Sequence, residues 1–282
     1  MKDLNEIKIG CIGAGMMGGA LMEGISKKFT PANIFVTDAD FSKATDFART
    51  HGLNVLKTNS EIVTSSDIVF LAVKPMYVKA VLQEIKPVLT EGKVLVSMAA
   101  GVSIATLQSA LNDSGLSAPN GDFVMPHIIR IMPNLPATVG EAMIAISPSA
   151  DASNDETETV KAFLNACGKA EVVSEKLMDG VTAVSGSGPA YAFLFIEALA
   201  DAAVRFGMPR AQAYVYAAQT LRGAATMALE DDRSISELKD AVCSPAGTTI
   251  EGVIALEKHN FRGAVIDAAT AAYNKSVELG RK

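Results

Sequence analysis

The sequence predicts an α/β amino-terminal domain with a doubly wound sheet, followed by an all-α carboxyl-terminal domain. Two observations in the 282 residues support this prediction. In the first half, short apolar runs rich in β-branched residues alternate with helical patterns, as in parallel strands that are covered by helices on both faces. In the second half, almost every segment has the periodicity of a helix.

The first half contains the predicted sheet and its connecting helices. The predicted strands are residues 7–12, 34–37, 67–73, 93–98, 128–132 and 142–147. The predicted helices between them are residues 16–28, 40–51, 76–86 and 104–114. Turn-forming residues at 115–122 predict a loop, and a last short strand is predicted at 170–173. We place the domain boundary near Gly168, which divides the chain into residues 1–168 and 169–282.

The second half is predicted to form helices at residues 189–206, 210–230, 234–242, 248–258 and 262–280. In the first of these, Glu197, Asp201 and Arg205 share one narrow face, and the rest of the surface is apolar. A helix that is apolar on most sides must be covered on most sides. We therefore expect a second copy of the chain to cover it by two-fold symmetry. Coverage by the amino-terminal domain is the alternative.

Composition excludes several classes of protein. The net charge is −6 and no basic run occurs, so nothing indicates a nucleic-acid partner. Three scattered cysteines, Cys11, Cys167 and Cys243, lack the spacing of a disulfide framework or a zinc site, and no metal is expected. The amino terminus has no signal-peptide pattern, and no stretch approaches roughly 18 uncharged apolar residues. These features predict a cytoplasmic protein without a membrane partner.

A glycine-rich loop directly follows the first predicted strand and opens the first predicted helix, as in Rossmann dinucleotide-binding domains. Gly13 would allow the tight turn, Gly15 would let the backbone approach a pyrophosphate, and Gly18 would let helix and strand pack closely. Amides at the start of the helix would bind the phosphates. The alternative is that the turn needs glycine for steric reasons only. The predicted pyrophosphate loop consists of Gly13, Ala14, Gly15, Met16, Met17 and Gly18.

Asp38 ends the second predicted strand, twenty residues after Gly18. This is the spacing of the carboxylate that binds the adenosine ribose in such domains. A carboxylate there would repel a 2′-phosphate, and the nearest cation in the sequence is Lys43. Asp38 therefore favours NADH over NADPH. The alternative is that Asp38 caps the helix that follows.

Pro75 marks the end of the predicted strand at 67–73, because proline has no amide hydrogen for a sheet ladder. The carboxyl ends of strands in such sheets face the ligand crevice. The sequence therefore predicts Val73 and Lys74 at the cofactor. For Lys74, a solvated lysine at the strand end is the alternative.

Two glycine-containing segments, 184–190 and 244–249, each run into a predicted helix. Exposed amides at a helix start bind anions, so the pair would suit a small carboxylate, with ordinary helix capping as the alternative. His51, His127 and His259 lie in unrelated contexts, and no usual acid–base pattern occurs. A reductase that acts on an electrophilic C=N bond needs little such machinery, since the cofactor supplies the hydride.

Together these motifs resemble the pyrroline-5-carboxylate reductases over essentially the full chain. The matching segments are IGCIGAGMMGGA, FLAVKP, VSMAAGV, RIMPNLPA, VSGSGPAYAF, IEALADAAVRFGMPRAQAY, ELKDAVCSPAGTTIE and NFRGAVIDA. The resemblance implies hydride transfer from NAD(P)H to the C=N carbon of 1-pyrroline-5-carboxylate, which gives L-proline in the last step of proline biosynthesis. It also implies a homodimer formed through interlocked helical domains, and larger rings such as a decamer built of dimers.

The resemblance also implies roles for individual residues. Asn59 would contact the adenosine ribose or its phosphate, and the segment Ala72, Val73, Lys74 and Pro75 would lie along the cofactor. Thr249 would face the imine nitrogen as the catalytic residue. The substrate carboxylate would be held by Ser187, Gly188 and Pro189, and the rest of the substrate site would consist of Ser244, Gly247 and Thr248.

The chain departs from the family pattern in three places. Many members carry Asn-Arg or similar residues after the second strand and prefer NADPH, whereas this chain has Asp38 and Asp40 there. The preference of many family members thus indicates NADPH, whereas Asp38 indicates NADH. The segment 115–127 is longer than usual, and Ala246 replaces a common glycine, a change that we expect to be tolerated.

Two other functions are alternatives. A β-hydroxyacid dehydrogenase would place a catalytic lysine about one turn into the helix after a glycine motif, but the corresponding stretch AYAFLF has none. A dinucleotide-binding regulatory protein without activity would not need the two anion-binding segments.

Overall fold

The computed structural model describes residues 3–112 and 124–280, which form two compact units. The first unit comprises residues 3–186 together with residues 272–280, and the second comprises residues 187–271. The loop predicted at 115–122 lies outside the described residues, as does most of the unusually long segment 115–127.

The first unit alternates strands and helices as predicted. Its strands in the described chain are β1 (Ile9–Ile12), β2 (Ile34–Thr37), β3 (Asn54–Val55), β4 (Ile68–Leu71), β5 (Val94–Ser97), β6 (His127–Met132), β7 (Ala142–Pro148) and β8 (Gly168–Val172). Its helices are α1 (Met16–Ser26), α2 (Phe41–His51), α3 (Asn59–Ser65), α4 (Pro75–Ile85), α5 (Ile104–Asn112), α6 (Asn154–Leu164) and α7 (Met178–Val181).

The strands form one sheet in the order β3-β2-β1-β4-β5-β6-β7-β8, which confirms the predicted doubly wound arrangement. The first six strands have the order of a Rossmann fold and are parallel. The pair β6–β7 is antiparallel. Only nine residues with a short 3-10 turn (Leu135–Val139) join these two strands, and a parallel return needs a longer crossover.

Both faces of the sheet are buried. In β4, Phe70 lies in the core with α1, α2 and α6, and Leu71 lies in the core with α3, α4 and α5. The same alternation occurs in β1, where Cys11 and Ile12 face opposite sides. This two-sided burial explains why the strands are apolar throughout rather than alternating.

The sheet continues past the predicted boundary near Gly168. Gly168 begins β8 and lies opposite Ala142 of β7, and a Cβ added at Gly168 would collide with the Ala142 backbone. By contacts, the break falls between Gly186 and Ser187 instead. The division of the chain into a cofactor domain and a substrate domain stays a prediction.

One strand and three helices of the first unit were not predicted from the sequence: β3, α3, α6 and α7. Capping boxes begin α3 and α6, formed by Thr58 with Glu61 and by Ser153 with Glu156. The Ser/Thr-x-x-Glu spacing of such boxes is visible in the sequence, and it could have predicted both helices.

The second unit is helical, as predicted. Its helices are α8 (Gly188–Arg205), α9 (Arg210–Glu230), α10 (Ile235–Val242), α11 (Thr248–Lys258) and α12 (Phe261–Gly280), the last of which continues into the first unit. Within residues 187–271, all of which are described, the buried apolar residues are Ala200, Ala213, Ala217 and Leu238. The second unit thus has a very small core of its own.

Large apolar side chains of α8 remain exposed in the single chain. Phe193 is 59% exposed and Leu194 is 65% exposed. On the charged face of α8, Asp201 forms an ion pair with Arg210 of α9. By length and composition alone, the 31-residue helical stretch Glu175–Arg205 could also cross a membrane, with a mean hydropathy of 1.2 in its most apolar window.

Candidate functional site

A cavity of about 770 Å³ opens where β1, β2, β3 and β4 end. In the sheet, β1 lies between β2 and β4, which is the point where the strand order reverses. Ligands of open α/β sheets bind in the crevice at such a point. The predicted cofactor residues that line the cavity are Gly13, Gly15, Met16, Met17, Asp38, Asn59, Ala72, Val73 and Lys74.

The glycines of the loop differ in their surroundings. Gly13 has a φ of +101°, and a Cβ there would lie 2.6 Å from the Ala72 carbonyl oxygen. A Cβ at Gly18 would overlap the Gly13 carbonyl oxygen, so helix α1 approaches β1 as closely as predicted. Around Gly15 nothing lies within 4 Å, which leaves its backbone open to the cavity. Ala14 and Gly18 support the loop without lining the cavity.

Cys11 lies beneath this loop. Its thiol donates a weak hydrogen bond to the Gly13 carbonyl at 3.5 Å. Burial, with a smaller contribution from the charge of Asp38, raises the pKa of the Cys11 thiol to about 12. Cys11 therefore stays a neutral thiol that packs against the loop and does not act as a nucleophile.

Asp38 does not cap α2. The N-cap residue is Asp40, whose side chain accepts a hydrogen bond from the Lys43 amide. Bonds from Ser42 and Lys43 lower the pKa of the exposed Asp40 carboxyl. Asp38 instead accepts one bond, from the Asp40 amide at 3.0 Å, and lines the cavity. The capping alternative for Asp38 is therefore wrong, while its proposed contact with the ribose stays a prediction.

The segment after β4 turns at Pro75, as predicted. Pro75 is the first residue of α4, and it lines a different cavity from the one that Val73 and Lys74 line. Lys74 is exposed, and its ammonium makes no ion pair or hydrogen bond with the described residues. Both interpretations of Lys74 therefore stay open.

Several lining residues were not predicted. Lys57 and Thr58 follow β3, a strand that sequence analysis missed. Tyr77 and Glu84 lie on one face of α4, separated by two helical turns. The Asn59 side-chain amide donates a hydrogen bond to the Glu84 carboxylate at 2.7 Å. This contact joins α3 to α4 and places an additional carboxylate at the cavity.

The two predicted anion-binding segments lie at helix starts in the second unit. Ser187 precedes α8, with Pro189 in its first turn, and Gly247 precedes α11. Neither helix has a side-chain hydrogen bond at its N-cap. Ordinary side-chain capping therefore does not account for these residues. At the start of α8, Pro189 has no amide hydrogen and the Ala190 amide donates to the Ser187 carbonyl at 3.0 Å, so the anion-binding role of both segments stays a prediction.

Ala246 has a φ of +57°, in the left-handed region. This conformation costs a residue with a side chain roughly 1–2 kcal/mol, so glycine would fit the position with less strain. The Ser244 carbonyl accepts a hydrogen bond from the Gly247 amide at 3.0 Å and closes the turn. That this alanine is tolerated stays a prediction.

A π-helical turn, Thr182–Gly186, overlaps the first anion-binding segment, residues 184–190, and ends just before α8. Asn134, which is 8% exposed, supports it. The Asn134 amide nitrogen donates to the Ser185 carbonyl at 3.0 Å, and its side-chain oxygen accepts from the Met143 amide at 3.0 Å. Such turns are often found at functional sites. Asn134 lies within the RIMPNLPA segment, but no pattern in the sequence predicted a role for it.

The histidines have separate environments, as expected. His127 bonds to Glu156 at 2.8 Å, His51 packs on Phe47, and His259 ends α11. Among the described residues, no three side chains of His, Cys, Asp or Glu gather in a manner that could hold a metal ion.

The sheet order, the glycine loop and the crevice define a Rossmann-type dinucleotide-binding protein. Comparisons with known proteins agree with this class. Residues 8–101 match the family model described as NADP oxidoreductase, coenzyme F420-dependent, and residues 175–279 match the model described as pyrroline-5-carboxylate reductase dimerisation.

Relatives with similar sequences extend over the whole chain. The chain is 44% identical to the pyrroline-5-carboxylate reductase of Methanosarcina acetivorans, covering 98% of each protein, and 42% identical to that of Escherichia coli, covering 98% of this chain and 99% of the relative. A solved pyrroline-5-carboxylate reductase from Coxiella burnetii superposes with a TM-score of 0.89 at 33% identity, covering 99% of this chain and all of the other. The chain belongs to the pyrroline-5-carboxylate reductase family.

A further solved relative bears on the cofactor. The pyrroline carboxylate reductase of Plasmodium falciparum, solved with NADP bound, is 33% identical with a TM-score of 0.82 and covers 99% of this chain. Membership of this family also excludes the β-hydroxyacid dehydrogenase alternative.

We expect Asn134→Ala to destabilise the protein by about 1–3 kcal/mol, because two half-buried backbone partners each lose a hydrogen bond that contributes about 0.5–1.5 kcal/mol. Urea unfolding at fixed protein concentration measures this loss. Asn154→Ala is the matched control, since Asn154 is exposed on α6. Equal midpoints for the two variants would show that Asn134 does not support the turn.

Proposed function

We propose that the 770 Å³ cavity holds NAD(P)H, which transfers its hydride to 1-pyrroline-5-carboxylate. As a member of its family, the chain is an NAD(P)H-dependent oxidoreductase that reduces 1-pyrroline-5-carboxylate to L-proline. The observation that carries the proposal is the glycine loop at the switch point of the sheet, in a chain that matches these reductases along its full length.

The residues present at the cavity fit a dinucleotide. Gly15 leaves open space beside the first turn of α1, and the free amides of that turn favour a pyrophosphate. Asp38 and Asn59 lie on the β2 and β3 side, where the adenosine ribose would be bound, and Val73 and Lys74 lie on the β4 side. When bound, the nicotinamide supplies the hydride.

The second unit supplies the proposed substrate site. Ser187, Gly188 and Pro189 present the start of α8 to the substrate carboxylate, and Thr248 contributes at the start of α11. Thr249, which is half-buried, bonds to the imine nitrogen and holds it in position while the adjacent carbon is reduced. Ser244 and Gly247 complete the site. At both helix starts the N-cap residue makes no side-chain hydrogen bond, which supports these roles.

The chain carries the dimerisation domain of its family, and a homodimer follows from it. The exposed apolar surface of α8 lies inside the segment that matches this domain. We infer that a second copy of the chain, and not lipid, covers Phe193 and Leu194. Assembly of five such dimers into a decamer and a cytoplasmic location are parts of the same proposal, and three free cysteines agree with a reducing compartment.

The cofactor preference is a separate proposal. A family model described as an NADP oxidoreductase matches residues 8–101, and the Plasmodium falciparum relative was solved with NADP. In this chain, Asp38 lines the cavity and is not used as a helix cap. We infer that its carboxylate bonds to the ribose hydroxyls and tilts the preference towards NADH.

Purified protein is expected to oxidise NADH or NADPH when 1-pyrroline-5-carboxylate is added, with formation of L-proline. Absorbance at the nicotinamide band and detection of proline by chromatography check this. Absence of oxidation with both cofactors would refute the proposed function.

Thr249→Ala should lower kcat roughly tenfold to a hundredfold, the cost of one hydrogen bond of about 1–3 kcal/mol. Affinity for NAD(P)H should be unchanged, because the hydroxyl contacts the imine and not the dinucleotide. Thr249→Ser, which keeps the hydroxyl, is the control and should retain most activity. A large loss of NAD(P)H binding in Thr249→Ala would contradict the assignment.

Asp38→Ala should raise the NADPH-to-NADH ratio of kcat/KM, by about tenfold if the lost carboxylate contributes about 1.4 kcal/mol of discrimination. Asp40→Ala is the matched control, since Asp40 lies two residues away, is exposed and does not line the cavity. If both variants keep the original ratio, Asp38 does not bind the ribose.

A further inference from the structure

The cavity contains a contact that reaches across two helices at its adenosine side. Asn59 is the first residue of α3, and Glu84 lies near the end of α4 on the same face as Tyr77. The Asn59 amide nitrogen donates to the Glu84 carboxylate at 2.7 Å. Both residues line the cavity, and Glu84 is otherwise exposed.

This bond fixes the orientation of the Asn59 amide. A carboxylate only accepts hydrogen bonds, so the nitrogen and not the oxygen of the amide must face Glu84. One amide hydrogen is thereby occupied, and the carbonyl oxygen of Asn59 is left as an acceptor. The carbonyl oxygen can accept from a ribose hydroxyl, whereas a 2′-phosphate, which presents oxygen acceptors, can use only the one amide hydrogen that Glu84 leaves.

The charges on the adenosine side of the cavity also disfavour a 2′-phosphate. Asp38 and Glu84 bring two carboxylates to the β2 and β3 side of the cavity, and Lys57 is the cation there. Lys74 lies after β4, on the other side of β1. The adenosine side therefore carries an excess of negative charge, which opposes binding of a phosphate with its own charge of about −1.5 to −2.

We propose that Glu84 is a specificity-determining residue, which disfavours NADPH by holding the Asn59 amide nitrogen and by adding a carboxylate beside the ribose position. The inference rests on the proposed function and extends it, since Asp38 is then one of two acidic residues that exclude the 2′-phosphate. Glu84 acts partly through Asn59, so its effect should depend on that side chain.

The test compares Glu84→Gln and Glu84→Ala with wild type. Glutamine removes the charge but keeps an acceptor for Asn59, whereas alanine removes both. The NADPH-to-NADH ratio of kcat/KM should rise roughly threefold in Glu84→Gln and roughly tenfold in Glu84→Ala, effects typical of one exposed charge and of one added hydrogen bond. Glu91→Gln is the matched control, because Glu91 is exposed and lines none of the described cavities.

A second comparison tests the route through Asn59. In an Asn59→Ala background, Glu84→Ala should shift the ratio no more than Glu84→Gln does, because no amide remains to be released. Dissociation constants of NADPH and NADH, measured by fluorescence without substrate, give the same ratio independently of turnover. Inactive wild type would therefore refute the proposed function, while the binding ratios would still decide the role of Glu84.

The inference is overturned if Glu84→Ala folds, as judged by circular dichroism and gel filtration, and keeps the wild-type ratio of binding constants. It is also overturned if Glu91→Gln changes the ratio as much as Glu84→Gln does, since the effect would then be one of overall charge.

Discussion

The first turn of α1 lies so close to the end of β1 that residue 18 must lack a side chain. A Cβ at Gly18 would overlap the Gly13 carbonyl and would come within 2.8 Å of the Ala72 side chain. This approach brings the start of α1, with its free amides and positive end, beside the carboxyl ends of the paired strands β1 and β4. A bulkier residue would tilt the helix away and would remove the phosphate-binding geometry of the crevice.

The order of the strands determines where the polar and charged side chains lie around the crevice. Because β2 and β3 lie on one side of β1, the residues that follow them, Asp38 and Asn59, reach the same side of the cavity. Glu84 joins them only because α4 packs on α3, so the residues proposed to select the cofactor come from three separate connections of the sheet. In the proposed selection, a 2′-phosphate would thus be opposed by groups on different elements and not by one motif.

Local patterns in the sequence predicted most of the α/β unit, and packing decided the rest. The position of Asp38 depends on a spacing along the chain, so it could be predicted from the sequence. The positions of Glu84 and Asn134 could not, because their partners, Asn59 and Ser185, are 25 and 51 residues away. Lys57 was missed for another reason: β3 has only two residues, too few for a periodic signal.

The small core of the helical unit gives a physical reason for dimerisation and the proposed substrate binding to share one segment. Between residues 187 and 271, its buried apolar residues are three alanines and one leucine, which exclude too little apolar surface from water to hold five helices in place. The uncapped starts of α8 and α11 lie on helices that need external support. A second copy that covers Phe193 and Leu194 would therefore fix the helices on which the proposed carboxylate-binding amides depend. In such an enzyme, loss of the dimer interface would disorder the substrate site before it affects the glycine loop, which belongs to a unit with a large core of its own.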